Sequence, residues 1–233
     1  MATYSLPQTE DFSSGTIGKM STDYAATCTT VEYDTTQGNW LTGGKALKAV
    51  FVGDQSLAAY LELTAAVPEI WMGCWMKGQM DAIGDASDQF SWVRILGDLG
   101  GIVLNPYGEI LSANGTPFFD VAYQAAGPVL TSLGDTGGAF MDGLWHHYLL
   151  GWKYGAGTGE VHFKIDGAEV CGATGLTMEP TEDNVLKAGI RIRDIDAGNN
   201  MTLWFGRFTF TATEPDAESP IYLARRPRLI TYV

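Results

Sequence analysis

Residues 144–167 constrain the fold more than any other stretch of the chain. Leu144-Trp145-His146-His147-Tyr148-Leu149-Leu150-Gly151-Trp152-Lys153-Tyr154 is an aromatic and apolar run. Gly155-Ala156-Gly157-Thr158-Gly159 follows as a glycine loop, then Glu160-Val161-His162-Phe163-Lys164-Ile165, then Asp166-Gly167. Turn residues bounding runs of aromatic and β-branched residues mark strands, so the stretch predicts a long strand, a hairpin loop, a second strand and a tight turn. In the second strand, alternation puts Val161, Phe163 and Ile165 on one side and His162 and Lys164 on the other, which leaves one dry face. In the first, His146, Tyr148, Leu150, Trp152 and Tyr154 share a face, and Trp145, His147, Leu149 and Gly151 share the opposite one. Both are rich in apolar atoms, which predicts a strand inside a sheet whose second face is also sheltered.

Similar short runs recur at Ala46 to Val52, Ala59 to Thr64, Ile70 to Lys77, Phe90 to Leu96, Ile102 to Leu104, Phe118 to Tyr123, Val185 to Ile192 and Thr202 to Phe210. No window sustains a helical stripe, and regularly spaced short strands point to a sandwich or jelly roll. A chain of 233 residues with 29 glycines, 9 prolines and 45% hydrophobic residues can fill one large core. The expected architecture is therefore all-β, a two-sheet antiparallel β-sandwich with a single domain over residues 1–213. Residues 214–233 form a C-terminal arm behind the acidic, proline-flanked Glu214-Pro215-Asp216-Ala217-Glu218-Ser219-Pro220, packing back on the domain or onto a partner subunit.

Fourteen Lys and Arg against 27 Asp and Glu give a net charge of −13, which argues against nucleic acid as a partner. Arg225, Arg226 and Arg228 are the one cationic cluster and a candidate docking element for an acidic neighbour. Cys28, Cys74 and Cys171 cannot all pair and lack metal-ligand spacing, so they are expected as reduced thiols. The N-terminus shows no signal-peptide pattern, and no run approaches the roughly 18 apolar residues of a membrane helix, so cytoplasmic synthesis without membrane insertion is expected.

The order Gly143-Leu144-Trp145-His146-His147, strand, glycine loop, Val161-His162-Phe163-Lys164-Ile165-Asp166-Gly167 resembles the laminin-G-like and pentraxin-like branch of the concanavalin A-like lectin/glucanase superfamily. Glu10-Asp11-Phe12-Ser13-Ser14-Gly15, Gly44-Lys45-Ala46-Leu47-Lys48, the strand Ile70 to Lys77 and the closing Leu203-Trp204-Phe205-Gly206-Arg207-Phe208-Thr209-Phe210 extend the likeness over most of residues 10–213. The resemblance implies a concanavalin A-like jelly roll, a fold shared by lectins, glycoside hydrolases, adhesion modules and phage surface proteins, so it assigns no role alone.

The chemistry narrows the choice. A retaining glucanase needs an acid and a nucleophile about 5 Å apart on one strand face, and no such carboxylate run exists. Asp81, Asp85 and Asp88, and Glu179, Glu182 and Asp183, fall among turn residues and are expected as solvated turns. No nucleophile elbow is present, and His146 and His147 point to opposite faces, so the three histidines cannot converge on a metal. No cofactor is expected; if calcium binds, Asp194 and Asp196 are the candidate ligands. Sugar recognition uses aromatic platforms with polar neighbours, which makes Trp152, Tyr154 and His162 the first candidate ligand cluster and Trp71 with Trp75 the second. Core packing is the ordinary alternative for each tryptophan. These observations lead to an expected non-enzymatic structural or adhesion module: a phage virion protein of capsid decoration or fibre type, with glycan binding, homo-oligomerisation and capsid or other virion proteins as partners. A soluble carbohydrate-binding lectin is the alternative, and a glycoside hydrolase ranks below both.

Overall fold

The computed structural model of the protein describes residues 2–21, 24–36, 45–53, 55–82, 89–97, 102–110, 117–125, 129–136, 142–193 and 198–215. Two antiparallel sheets pack as a sandwich. The front sheet runs in the order β13 (Ala168–Thr177), β12 (Ala156–Ile165), β11 (Asp142–Lys153), β6 (Glu69–Ala82), β15 (Asn200–Thr211), β4 (Ala46–Val52) and β3 (Thr30–Asp34), with β1 (Gln8–Glu10) also paired to β15. The back sheet runs β10 (Val129–Thr136), β9 (Pro117–Ala125), β8 (Ile102–Ile110), β7 (Gln89–Gly97), β14 (Val185–Arg193), β5 (Leu57–Val67) and β2 (Ala25–Ala26). Among the described residues, no helix is long and apolar enough to cross a membrane. This is the two-sheet jelly roll expected from the strand pattern.

Aromatic contacts join the sheets. Trp92 of β7 meets Tyr148 of β11 edge-on, with ring centroids 5.0 Å apart, and Phe163 of β12 at 6.3 Å. A second group stacks along β15, where Phe205, Phe208 and Phe210 all face inward and Phe12 abuts Phe208. Strict alternation would send Phe205 and Phe208 to opposite faces. A bulge resolves this: Phe205 pairs with Met76 and Phe208 with Cys74, so one extra residue is inserted in β15 and its inward parity is reset. Gly206 and Arg207 therefore lie opposite Trp75.

The hairpin forms with a tighter connection than the glycine loop suggests. Lys153 pairs with Glu160, yet Ala156 and Gly159 already pair with Thr177 and Leu176 of β13. Most of the glycine stretch is thus strand, laid against an edge partner that sequence reading leaves out. That partner, β13, carries two glycines and an exposed, mostly small-residue face, so it lacks the apolar signature of a strand. At the other end Asp166 and Gly167 have φ of 51° and 85°, the two left-handed positions of a two-residue hairpin turn.

The acidic grouping near residue 180 departs from expectation. Glu179 and Glu182 are 6% and 7% exposed rather than solvated. Glu179 accepts the Thr181 amide and hydroxyl, and Glu182 lies against the backbone of Gly97, where a Cβ would fall 1.7 Å from its Oε2. Asp81 is exposed as expected but lies in β6 rather than a turn, where it accepts the Thr202 hydroxyl at 2.6 Å; Asp85 and Asp88 lie outside the described residues. Cys28, Cys74 and Cys171 form no disulfide, and complete burial pushes the Cys74 thiol far above its usual range.

Trp152 is 1% exposed inside the sandwich, and its neighbour Lys153 points outward. Trp152→Ala is expected to cost about 3–5 kcal/mol in chemical denaturation, while Lys153→Ala leaves the unfolding midpoint where it was.

Candidate functional site

Cross-strand partners in a sheet share a face, so the register defines what the front sheet presents on its outer side. Gly151 lies between His162 and Trp71, and Trp71 pairs onward to Thr211. Leu149 lies between Lys164 and Gly73, and Gly73 pairs with Thr209. His147 pairs with Trp75, beside the β15 bulge. Trp145 pairs with Lys77, which continues through Trp204 and Lys48 to Glu32. The outer face is therefore a lattice of tryptophans, cations and imidazoles. The six-residue core face behind it is wholly apolar or aromatic along β11 and β6: Tyr148, Leu150, Trp152, Met72, Cys74 and Met76 are all buried.

At one end, Trp71 lies flat across Gly151, where an added Cβ would meet the indole at 2.5–2.7 Å. His162 stacks on the same indole with centroids 5.3 Å apart and an interplanar angle of 20°, and Lys164 Nζ sits 5.7 Å from the ring. Carboxylates surround the group: Glu69 accepts the Trp71 indole N–H at 3.0 Å, Glu169 pairs with His162 Nδ1 at 3.2 Å, and Glu214 pairs with Lys164. Trp71 is 5% exposed, so this end is sealed by its own neighbours.

The far end is built around Trp204. Lys77 Nζ stands 4.8 Å from its ring centroid, and its indole N–H donates to Asp34 at 3.0 Å. Lys48 and Glu32 pair at 2.7 Å beside it.

The centre is closed by its own groups: Gly73 is buried, and His147 and Thr209 are each 5% exposed. Gly73 forms its floor: an added Cβ would lie 2.7 Å from Thr209 Oγ1 and 3.1 Å from His147 Nε2, so both polar groups reach in over bare backbone. Trp75 meets His147 at 5.2 Å, and Trp75, Trp145, Lys77 and Arg207 are all partly exposed around it. Burial lowers the His147 pKa to about 4, with Arg207's charge acting in the same direction and Asp166 opposing it. His147 is thus a neutral imidazole beside a guanidinium at neutral pH.

Its neighbour His146 is the reverse. His146 Nδ1 lies 2.7 Å from Asp166 and its Nε2 3.1 Å from Asp142. The Asp166 hydrogen bond leads in raising its pKa to about 9, against partial burial. Asp166 also accepts the His147 amide at 2.9 Å and donates its own amide to the His147 carbonyl at 2.8 Å. The Asp-Gly turn is thereby clasped to β11.

The ligand cluster expected from sequence does not assemble. Trp152 and Tyr154 lie on the core side of β11, and Tyr154 packs against the core; His162 is on the outer side, stacked on Trp71. Trp71 and Trp75 do share the outer face, but only Trp75 remains partly exposed. Asp194 and Asp196, and Arg225, Arg226 and Arg228, lie outside the described residues. Among the described residues there is no group of three or more metal-ligating side chains. Sequence reasoning missed Trp204, Lys77, Arg207 and the Gly73 floor. The spacing Trp71-x-Gly73-x-Trp75-x-Lys77 carried part of that signal, but its partners on β15 follow only from the register.

No family model and no curated protein matches the chain. Solved structures do. The endo-β-1,4-glucuronan lyase of the fungus Trichoderma reesei is similar at a TM-score of 0.63 with 12% identity, over 88% of this chain and 95% of that one. The carbohydrate esterase of Shiga toxin-encoding bacteriophage phi24B is similar at 0.53 with 18% identity, over 87% and 95%. A botulinum neurotoxin type C structure, described for its interaction with two ganglioside molecules, is similar at 0.57 with 11% identity, over 90% of this chain and 47% of that one. The shared feature is the fold: a β-sandwich used by carbohydrate-binding and carbohydrate-cleaving proteins.

The expectation that the chain is not an enzyme is overturned here. It rested on absent glucanase carboxylates and absent nucleophile motifs, whereas sandwiches of this shape include a lyase and an esterase. Missing glucanase chemistry therefore does not exclude carbohydrate catalysis.

The adjacent histidines set a pH dependence. His146 binds its proton more tightly folded than unfolded, so its stabilisation is complete below about pH 6.5 and is lost as pH rises through about 9. His147 binds its proton less tightly folded, so stability falls as pH drops from about 6.5 through about 4. Urea midpoints measured across this range are expected to peak between those limits. In His146→Gln the alkaline decline becomes shallower, and in His147→Gln the acid one does.

Proposed function

We propose that the protein engages a polysaccharide along the outer face of the front sheet, with the chain lying over the partly exposed Trp75. The observation that carries this reading is the placement of Trp75, Trp145, Lys77 and Arg207, all partly exposed, on three adjacent strands. Indole faces stack on sugar C–H surfaces, and cations fix acidic substituents, so a uronate-bearing chain fits best. The fold shared with a glucuronan lyase and a ganglioside-associated toxin supports the same class of ligand.

One observation favours a second reading, cleavage of that chain by elimination. Elimination at a uronate needs a base to take the proton next to the carboxyl group and a cation to hold the developing charge. His147 is a neutral imidazole and Arg207 is near enough to act on its pKa, but His147 is only 5% exposed, so it serves as the base only if its ring is uncovered when the chain binds. The proton leaves carbon for the imidazole, the electron pair forms a C=C bond, and the glycosidic oxygen departs with a proton from a second donor.

The sequence-based context of a phage virion surface, with capsid contacts and a homo-oligomer, is compatible with this reading, since a bacteriophage esterase shares the fold. A strictly monomeric particle in sedimentation, with no retention on purified capsids, would count against it.

Binding is tested with alginate and glucuronan against neutral dextran. Trp75→Ala is expected to weaken uronate binding roughly tenfold, about 1.4 kcal/mol. Arg207→Ala weakens it by about 1.5–3 kcal/mol and leaves neutral chains unaffected. Affinities for alginate and glucuronan that stay at the wild-type level in both variants sink the proposal. For elimination, a new ultraviolet absorbance from the conjugated C=C should appear with wild type and disappear in His147→Ala while binding persists.

A further inference from the structure

A cavity of about 470 Å³ opens at the edge of the sandwich, lined by Thr16, Ile17, Gly18, Ser21, Tyr24 and Tyr33. It is separate from the outer face. Tyr33 pairs with Leu47, a core residue, so its ring lies on the inner side of the front sheet, between β3 and the single 3₁₀ turn at Gly18–Met20. The sheet itself divides the two places.

The wall of the cavity is held in shape by one carboxylate. Glu10 is 5% exposed; its Oε1 accepts the Phe12 amide at 3.0 Å and its Oε2 the Lys19 amide at 2.6 Å. Phe12 and Gly18 adopt φ of 55° and 59°, and a Cβ on Gly18 would approach Glu10 Oε2 to 2.7 Å. Only glycine fits there without displacing the carboxylate. Behind the wall, Phe12 and Met20 are fully buried and Ile17 nearly so. The cavity is therefore formed before any ligand arrives, which lowers the cost of binding.

Its chemistry is specific. The depression is open rather than enclosed, so it takes one face of a small ligand and leaves the other in water. None of the described lining side chains is charged, although the molecule carries a net −13. Tyr24 is 46% exposed and stands at the rim. Burial raises the pKa of both phenols, so each stays a neutral hydroxyl that can donate or accept. Two phenol rings with the hydroxyls of Thr16 and Ser21 offer an apolar face for C–H groups and hydrogen bonds for hydroxyls, and no cation stands among the described lining residues.

We propose that this edge cavity is a second binding site, distinct from the outer face, and that it takes a single neutral sugar residue. The sugar ring lies against Tyr24 and its hydroxyls reach Tyr33, Ser21 and Thr16. The site gives the protein a contact with a neutral glycan terminus independent of any chain on the outer face.

The test is an NMR titration of the full chain with methyl α-glucopyranoside, methyl β-galactopyranoside, N-acetylglucosamine and, for comparison, glucuronic acid. At least one neutral probe should give saturable shifts of the Gly18, Ser21, Tyr24 and Tyr33 amides, with a dissociation constant in the millimolar range. Tyr24→Ala, at a rim position whose spectrum will report an intact fold, should weaken that binding at least tenfold. Tyr33→Phe removes one hydroxyl and should weaken it less. Trp75→Ala should leave it unchanged, which separates this site from the outer face. The proposal is overturned if no neutral probe shifts these amides, if glucuronic acid binds more tightly than the neutral probes, or if Tyr24→Ala binds as wild type does.

Discussion

Side-chain parity in the front sheet is the constraint on which the rest depends. Strands β11 and β6 sit in the interior of that sheet and are buried on both faces, so each residue is committed either to the sandwich core or to the outer lattice. A one-residue slip in either strand would exchange Tyr148, Leu150 and Trp152 for His147, Leu149 and Gly151. The bulge in β15 follows from the same rule, since it alone lets Phe205 and Phe208 both face inward. Bare backbone at Gly73 and Gly151 follows too, because large rings on the outer face need flat ground to lie on. The candidate site is thus a by-product of the register that builds the core.

How far this could be read from the chain depended on which residues carried a period. The strands with continuous apolar runs, β4, β6, β7, β11, β12, β14 and β15, are legible because burial on one or both faces demands those residues. The edge strands are not. β13 faces solvent through Glu169, Val170 and Thr174, and β3 alternates polar with half-buried residues, so neither needs an apolar signature. Parity within β11 was also legible, including the divergence of His146 from His147. Which ring of the hairpin would be accessible was not: Trp152 and His162 are near one another along the chain's path but on opposite sides of the sheet, a fact set by the Trp152–Val161 register. The inward folding of Glu179 and Glu182 had no sequence signal either, because turn composition describes local backbone and not what the turn packs against.

Asp166 shows how a turn residue can organise a strand it does not belong to. Its carboxylate accepts from the His147 amide and pairs with the His146 ring, and its backbone exchanges a hydrogen bond with the His147 carbonyl. One residue therefore holds a charged imidazole on the rim, while the chain at the next position carries a neutral imidazole into the outer face. Adjacent histidines with opposite protonation are a direct consequence of alternation: one finds carboxylates, the other finds indole and buried backbone.

The same separation bears on how an acidic protein could hold an acidic polymer. A net charge of −13 repels a polyanion at long range, but at physiological ionic strength that repulsion is screened beyond about 8 Å. Within that distance the local set matters, and beside Trp75 the partly exposed cations are Lys77 and Arg207, with Asp11 near enough to Arg207 to feel its charge, while the carboxylates Asp34, Asp142 and Asp166 are engaged with Trp204 and His146. Capture of a uronate chain there would gain little from steering and much from short-range contact. Its affinity should then reside in dissociation more than in association, as expected where stacking and partly desolvated ion pairs dominate. The neutral-sugar site proposed beside Tyr24 and Tyr33 escapes this conflict, because a hydroxyl-bearing ligand without charge feels neither the repulsion nor its screening.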